Sequence, residues 1–374
     1  MIARAPRPAW AEVDLGAIRA NLVNIATGLN HGTRIMAVVK ANAYGHGDVE
    51  VARAALEAGA AGLGVVLLEE GIRLREAGIG APVLLMQEPA YDRAAEVLAR
   101  DLTPAVFTIA GLEALGAAAA RAGSPIRAHV KIDTGLNRLG WPSDRIDEFA
   151  LALRAHPLVE IEGAFTHFAF ADEPDHPFIS VQLSRFAAAV DELRAHGIEP
   201  RLLHAGNSAA SLTRPDAHFD MVRVGIAMYG LSPGPKCDGI VALRPALTLK
   251  ARAAMVKRVR GGEAVSYGHR YRLKRDATIV TIPLGYADGW PRGLSSNADV
   301  LIGGRRYPAV GTVCMDSFMA DLGDDECEVG DEIVLIGEQG GERIGVEAVA
   351  AATGTINYEV VTRVSPRIPR VFRG

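Results

Sequence analysis

The stretch IMAVVKANAYGHG, residues 35–47, decides how the rest of the chain is read. Ile35 to Val39 run without a polar break, as expected of a strand buried on both faces. Lys40 ends the run, and no G-x-G-x-x-G follows, so this is not the first unit of a dinucleotide-binding open sheet. A lysine at a strand end is ordinarily a solvated loop residue. Here the residues beyond it (Ala41, Asn42, Ala43, Tyr44, Gly45, His46, Gly47) are mostly small and leave its amine room to meet a ligand. A partly desolvated lysine is also the side chain that forms Schiff bases with carbonyls. Both readings stand at this point.

Outward from this stretch the same alternation repeats. Asp14 is positioned as an N-cap, and Leu15, Ile18, Leu22 and Ile25 follow at helical spacing. Further strand-like runs fall at 63–66, 83–86, 105–108, 128–132, 161–168, 202–205 and 221–224, with helical patterns between them. Counting the first, that makes eight, and residues 12–243 are expected to form a TIM (β/α)8 barrel. A doubly wound open sheet is the competing architecture, disfavoured because polar residues of interest sit just after strand ends throughout the segment. After Pro245 the texture changes to strand-like runs (277–283, 300–302, 309–313, 333–336) divided by Gly- and Asp-rich turns, with one helical pattern at 346–352. Residues 244–374 therefore read as a mainly β domain, to which residues 1–11 are a candidate addition.

Composition narrows the function. A chain of 374 residues exceeds the roughly 250 to 300 at which one core stops growing, so two domains are expected. Lys and Arg number 40 against 44 Asp and Glu, scattered along the chain, so there is no basic footprint for nucleic acid. Cys237, Cys314 and Cys327 lack metal-ligand spacing, which predicts no metal site and no disulfide scaffold and suits a reducing compartment. No stretch approaches the ~18 to 20 apolar residues of a membrane span, and the N-terminus lacks an apolar export region. A cytoplasmic enzyme is the expectation.

Function in a barrel is sought where strands end. Asn207 and Ser208 follow the seventh run and Gly225 and Ile226 the eighth, offering a hydroxyl and backbone N–H groups where barrels commonly hold phosphate. Arg223, on the eighth run, would point into an apolar interior, which is costly unless something accepts from its guanidinium. His167 and His204 lie near the ends of the sixth and seventh runs, each readable as a satisfied core residue or as a site group. A lysine amine, a phosphate cradle and an interior arginine on one rim point to pyridoxal phosphate.

With these residues in hand, the chain resembles the alanine racemase family. The motifs are AVVKANAYGHG (37–47), KIDTGLNRLG (131–140), THF (166–168), HAGNSAA (204–210), RVGIAMYG (223–230), VSYGHRY (265–271), GYADGW (285–290) and VGTVCMD (310–316). The resemblance implies pyridoxal 5'-phosphate as cofactor, alanine as substrate, D-alanine for peptidoglycan as the product's use, and a homodimer with shared active sites. It makes Lys40 the lysine that tethers the cofactor and serves one face of Cα. Tyr267 corresponds to the tyrosine serving the other face, contributed by the second subunit. Tyr44, Ser208, Gly225, Ile226 and Tyr358 match the phosphate contacts. Arg223 matches the partner of the pyridine nitrogen, supported by His204, with His167 beside the ring. Arg138 and the backbone amide of Met315 correspond to groups holding the substrate carboxylate, Asp316 lies in the same loop, and Tyr286 resembles an entrance tyrosine.

Racemisation removes a Cα proton from one face and returns one to the other, so an amine and a phenol on opposite sides suffice. A phenol is a poor base at neutral pH, so Tyr267 is expected to need positive charge nearby, with Arg138 or His167 the candidates. Leu136 and Asn137 depart from what other members often carry before the arginine. Lys131 occupies a position carbamylated in some members, and reads equally as a strand lysine paired to a carboxylate. A racemase of broader range, or for serine, is the alternative enzyme. A decarboxylase of the same fold would lack the VSYGHRY tyrosine, and a non-enzymatic cofactor carrier would end with the barrel.

Overall fold

Parallel strands occupy all eight of the runs in the first two-thirds of the chain. They are Arg34–Val38, Gly62–Val65, Val83–Leu85, Thr103–Val106, Ile126–Asp133, Val159–Phe165, Leu202–His204 and Met221–Val224. The computed structural model describes residues 7–374. Each strand pairs with the next, from Met36 opposite Gly62 round to Phe165 opposite His204, and the eighth returns to the first with Met221 opposite Arg34. Between the seventh and eighth the regular ladder lapses. Even so, the amides of Asp220 and Arg223 donate to the carbonyls of Leu203 (3.1 Å) and Gly206 (2.8 Å), so the parallel barrel is nearly closed.

Several apolar runs outlast their strands by one to three residues. Val39 and Phe168 are buried in the turns beyond their strands, so apolarity alone marked the ends too late. The helices between strands follow ordinary rules. In Ile109–Ala122 the Thr108 hydroxyl caps the start by accepting from the Gly111 amide, and Gly123 ends it at φ 62°. Leu112, Leu115, Ala118 and Ala119 form its buried stripe.

The chain divides into two units, one comprising Ala17–Ala43 and Asp48–Arg244, the other the N-terminal residues through Gly16, Tyr44–Gly47 and Pro245–Gly374. Residues 12–16 and 44–47, assigned to the barrel by pattern, therefore differ from that expectation. For residues 12–16 the cause is backbone pairing: Ala9–Asp14 is a strand lying antiparallel to Leu247–Arg252 and parallel to Arg370–Arg373. Of the N-terminal segment expected to join this domain, residues 1–6 lie outside the described residues.

The second unit is mainly β. Its main sheet runs, in spatial order, Met255–Val259, Ala277–Ile282, Phe318–Asp321, Arg305–Val310, Asp299–Ile302, Glu332–Gln339, Leu247–Arg252, Ala9–Asp14, Arg370–Arg373. Leu247–Arg252 alternates as a half-buried strand should, with Leu247, Leu249 and Ala251 buried and the residues between them less so. The helix Val346–Thr353 ends at Gly354, φ 66°. Among the described residues no helix is long and apolar enough to cross a membrane, no acid, His and Cys group could hold a metal ion, and all three cysteines are free.

Candidate active site

Lys40 opens a turn with an unusual backbone. Ala41, Asn42, Ala43 and Tyr44 all have φ between 51° and 54°, four consecutive non-glycine residues in the left-handed region. Each costs roughly 1–2 kcal/mol relative to right-handed helix, so the surroundings must hold the turn in place. Glu70, buried, does much of this. Its carboxylate accepts from the amides of Ala41 (2.6 Å), Val66 (2.9 Å) and Leu67 (3.0 Å), tying the turn after the first strand to the end of the second. The Ala43 amide donates to the Val39 carbonyl, and the Asn42 side chain accepts from the Asp48 amide. The sequence marked Lys40 but not Glu70, which looks like any other acid in a helical first turn.

Around Lys40 the charges are mostly positive. Burial lowers its pKa, as do Arg138 and, more weakly, Arg223, against an opposing pull from Glu70. Lys131 is buried and its amine is pushed down to about 8, first by burial and then by Arg223, Arg138 and Lys40. It sits over the rings of Phe107 (5.9 Å) and Phe165 (5.6 Å). Among the described residues no carboxylate pairs with Lys131, which sets aside its reading as one half of a strand ion pair. Arg138 is exposed on the loop after the fifth strand. The turn before it is held by Asp133, whose Oδ1 accepts from the amides of Gly135 (2.9 Å) and Asn137 (3.1 Å), the latter at φ 55°.

Arg223 is buried, and carbonyl oxygens accept from both terminal nitrogens of its guanidinium. Nη1 donates to the His204 carbonyl (2.9 Å) and lies 3.0 Å from His204 Nδ1. Nη2 donates to the carbonyls of Thr166 (2.7 Å) and Ala205 (3.1 Å) and lies 3.3 Å from His167 Nδ1. Among the described residues the Nε proton finds no acceptor. Burial lowers the Arg223 pKa to about 10, so it stays cationic at neutral pH. His204 and His167 are both held well below the ordinary histidine value, by burial first and then by Arg223. The sixth strand's end is fixed by buried Gln182, which donates to the His167 carbonyl and Thr134 and accepts from the Ala169 amide.

The phosphate-type residues also lie on this barrel. The Ser208 hydroxyl accepts from the Gly225 amide at 2.8 Å, linking the turns after the seventh and eighth strands. Among the described residues the amides of Ser208 and Ile226 find no acceptor. A pyridine nitrogen needs a donor and a phosphate needs free N–H groups, so Arg223 Nε and these amides fit pyridoxal phosphate, with unpaired Lys40 to carry its aldehyde.

The remaining candidates belong to the second unit. Tyr267 begins a short 3₁₀ turn and is 73% exposed, with its carbonyl accepting from the Thr312 hydroxyl. The Met315 loop is gripped by GYADGW: the Tyr286 and Ala287 amides donate to the carbonyls of Cys314 (3.1 Å) and Met315 (3.0 Å). Glycine is required at 285 because a Cβ there would stand 2.3–2.5 Å from that loop's backbone. The Met315 amide itself finds no acceptor among the described residues. Asp316 pairs with Arg367 at 2.6 Å, and Tyr286 is exposed. Tyr44 and Tyr358 meet with ring centroids 6.2 Å apart, and burial raises the Tyr44 phenol to about 12, keeping it a proton donor.

Comparison with known proteins agrees across the chain's length. The family model described as alanine racemase, N-terminal domain, matches residues 13–233, and that described as alanine racemase, C-terminal domain, matches 246–372. An alanine racemase of Symbiobacterium thermophilum is 47% identical over 98% of both chains, and one of Thermobifida fusca is 43% identical over 98% of both. Among solved structures, alanine racemase from Bacillus anthracis with bound L-Ala-P is 39% identical at TM-score 0.95, covering 100% of this chain and 96% of that one. The enzyme from D-cycloserine-producing Streptomyces lavendulae is 41% identical at TM-score 0.94, covering 99% and 98%.

Proposed function

Because the chain belongs to the alanine racemase family, and is an alanine racemase by its relatives and fold, we propose that it interconverts L- and D-alanine with pyridoxal phosphate by two-sided proton transfer. The observation that carries this reading is Arg223: a buried guanidinium held by three carbonyls, with Nε free, on the same barrel as an unpaired Lys40 of lowered pKa.

Bound pyridoxal phosphate supplies an electrophilic ring that acidifies the Cα–H of an attached amino acid. The rest is the work of this chain. Lys40, whose amine loses its proton more readily than an ordinary lysine, holds and moves the proton on one face of Cα. The partner subunit's Tyr267 serves the other face, a role its exposed position leaves open. Arg223 donates one hydrogen bond from Nε, and because guanidinium keeps its proton at neutral pH the ring is left a modest electron sink, which favours returning a proton to Cα. Ser208 and Ile226 would offer their amides to the phosphate, Gly225, whose amide donates to the Ser208 hydroxyl, would join the two turns beside it, and Tyr44 and Tyr358 correspond by motif to its remaining contacts. Arg138 and the Met315 amide correspond by motif to the groups that hold the substrate carboxylate. His167 stays neutral beside the ring. Asp316, paired with Arg367, steadies the substrate loop.

By this reading the enzyme is a cytoplasmic homodimer that supplies D-alanine for peptidoglycan; three free cysteines suit a reducing compartment. The test is incubation with L-alanine in deuterated water, following optical rotation and Cα deuteration. Wild-type protein should be yellow and racemise with exchange. Lys40→Ala and Tyr267→Phe should each lose exchange preferentially from one enantiomer, and undiminished racemisation in either variant removes that residue from the mechanism.

A further inference from the structure

His129 lies on the fifth barrel strand, buried, and no motif role falls to it. Its Nδ1 stands 2.8 Å from His204 Nε2, and its Nε2 stands 3.6 Å from the Glu162 carboxylate. A continuous polar line therefore runs Glu162, His129, His204, Arg223. Donor chemistry fixes its direction. Arginine has no acceptor, so His204 Nδ1 must accept from Nη1; neutral His204 then carries its proton on Nε2 and donates to His129 Nδ1. His129 in turn carries its proton on Nε2, aimed at Glu162. One added proton on either imidazole would set two donors face to face, so the line tolerates one proton per ring.

The fold makes room for this arrangement in two independent ways. The fifth and sixth strands slip register between Ala128 and His129, pairing Ala128 with Ile161 but His129 with Gly163, which leaves Glu162 as the extra residue of a bulge. Bulges re-aim side chains, here a carboxylate toward the His129 ring. Opposite His129, Gly163 has ordinary negative-φ backbone, yet a Cβ there would stand 2.7 Å from two atoms of the imidazole. Glycine at 163 answers to the ring's volume and to the Leu202 carbonyl at 2.8 Å.

We infer that Glu162 and His129 are positioning residues, which fix the tautomer of His204 and through it the donor edge that Arg223 presents to the site. This rests on Arg223 meeting the pyridine nitrogen. Glu162 is faced by His129, Arg127 (3.7 Å) and Arg201; the donor edge of His129 is the chief cause holding its carboxyl below the ordinary range, with burial opposing and the two arginines adding to the shift. His204 is faced by Arg223 and His129 and stacks flat on Phe165 at 4.8 Å, which fixes its ring plane and leaves only the proton's location to be chosen.

The test uses holoenzyme labelled with ¹⁵N-histidine and long-range proton–nitrogen correlation spectra. In wild type, His129 and His204 should both appear as neutral Nε2–H tautomers between pH 7 and 8. Glu162→Ala should move His129, and then His204, toward mixed tautomers, shift the pH profile and the absorption band of the bound cofactor, and lower kcat about two- to tenfold with KM nearly unchanged. Glu162→Gln, whose Oε1 still accepts, should restore the tautomers and bring kcat to within about twofold. An Nδ1–H form of either histidine in wild type overturns the inference, as does a Glu162→Ala protein with unchanged tautomers and pH profile. Failure of the cofactor reading looks different: no absorption band on adding the vitamin, with the histidine signals still readable.

Discussion

At the scale of single residues, the site depends on groups whose protonation the fold has shifted. Lys131 is the clearest. Its pKa of about 8 leaves an appreciable neutral fraction at pH 7.5, and only a neutral amine adds to carbon dioxide. With no carboxylate paired to it among the described residues, and with Arg223 and Arg138 outweighing the weaker pull of Asp133, a carbamate would replace an unfavourable positive charge by a favourable negative one. ¹³C-bicarbonate labelling should therefore give a carbamate carbonyl signal that Lys131→Ala abolishes; its absence in wild type would leave the amine free. Glu70 is the second case. Glu70→Ala leaves the amides of Ala41, Val66 and Leu67 without acceptors and should cost about 1–3 kcal/mol in urea denaturation, whereas Glu70→Gln, which retains one acceptor oxygen, should lose less. Equal losses in the two variants would argue against the turn being held by hydrogen bonds.

At the scale of elements, the N-terminal strand is the piece that composition hid. Ala9–Asp14 sits between Leu247–Arg252 and Arg370–Arg373, and Arg7 just before it forks onto Asp288, with contacts of 2.6 and 2.8 Å. Asp288 has a fully buried carboxylate in the GYADGW turn; burial alone would raise its pKa, but Arg7, the Gly285 amide and Arg367 more than offset this and hold it low. Arg7→Ala should cost about 1–3 kcal/mol by leaving that charge underpaired, read as a lower urea midpoint at unchanged slope. The Met315 loop makes the complementary point. Gly285→Ala drives a methyl into the carbonyls of Cys314 and Met315, so the loop must move, and KM for alanine should rise more than kcat falls. A variant with both parameters unchanged would detach that loop from substrate binding.

For the whole molecule, the pH dependence of stability has a definite sign. His167 and His204 are held neutral in the fold, with pKa values well below the ordinary value of about 6.5 that they regain on unfolding. Below that value the unfolded chain binds protons that the native protein does not, so stability falls as pH drops. Each histidine contributes a slope approaching about 1.4 kcal/mol per pH unit until its folded pKa is reached. Asp288, held low in the fold, adds to the loss in a more acidic window, below the carboxylate range. Urea midpoints measured from pH 7.5 to 5 should decline accordingly, and His204→Phe should flatten the slope between pH 6.5 and 5 even if the protein is less stable at pH 7.5.

The barrel was legible because strands buried on both faces must be continuous apolar runs, a requirement that survives without any knowledge of partners. Lys40, Arg223, Ser208, Gly225 and Ile226 could be singled out as candidates for a related reason: their chemistry is anomalous where strands end. Tertiary structure alone decided the rest. That Ala9–Asp14 pairs with strands some 240 and 360 residues away is a matter of which edges meet, and a short alternating segment does not encode its neighbour. Glu70, Gln182, His129 and Glu162 carry no local signal, since an acid, an amide or a histidine becomes a structural fixture only when folding removes water and puts a donor or acceptor within reach. Sequence specifies which side chains can do chemistry; desolvation and long-range pairing specify which of them are made to.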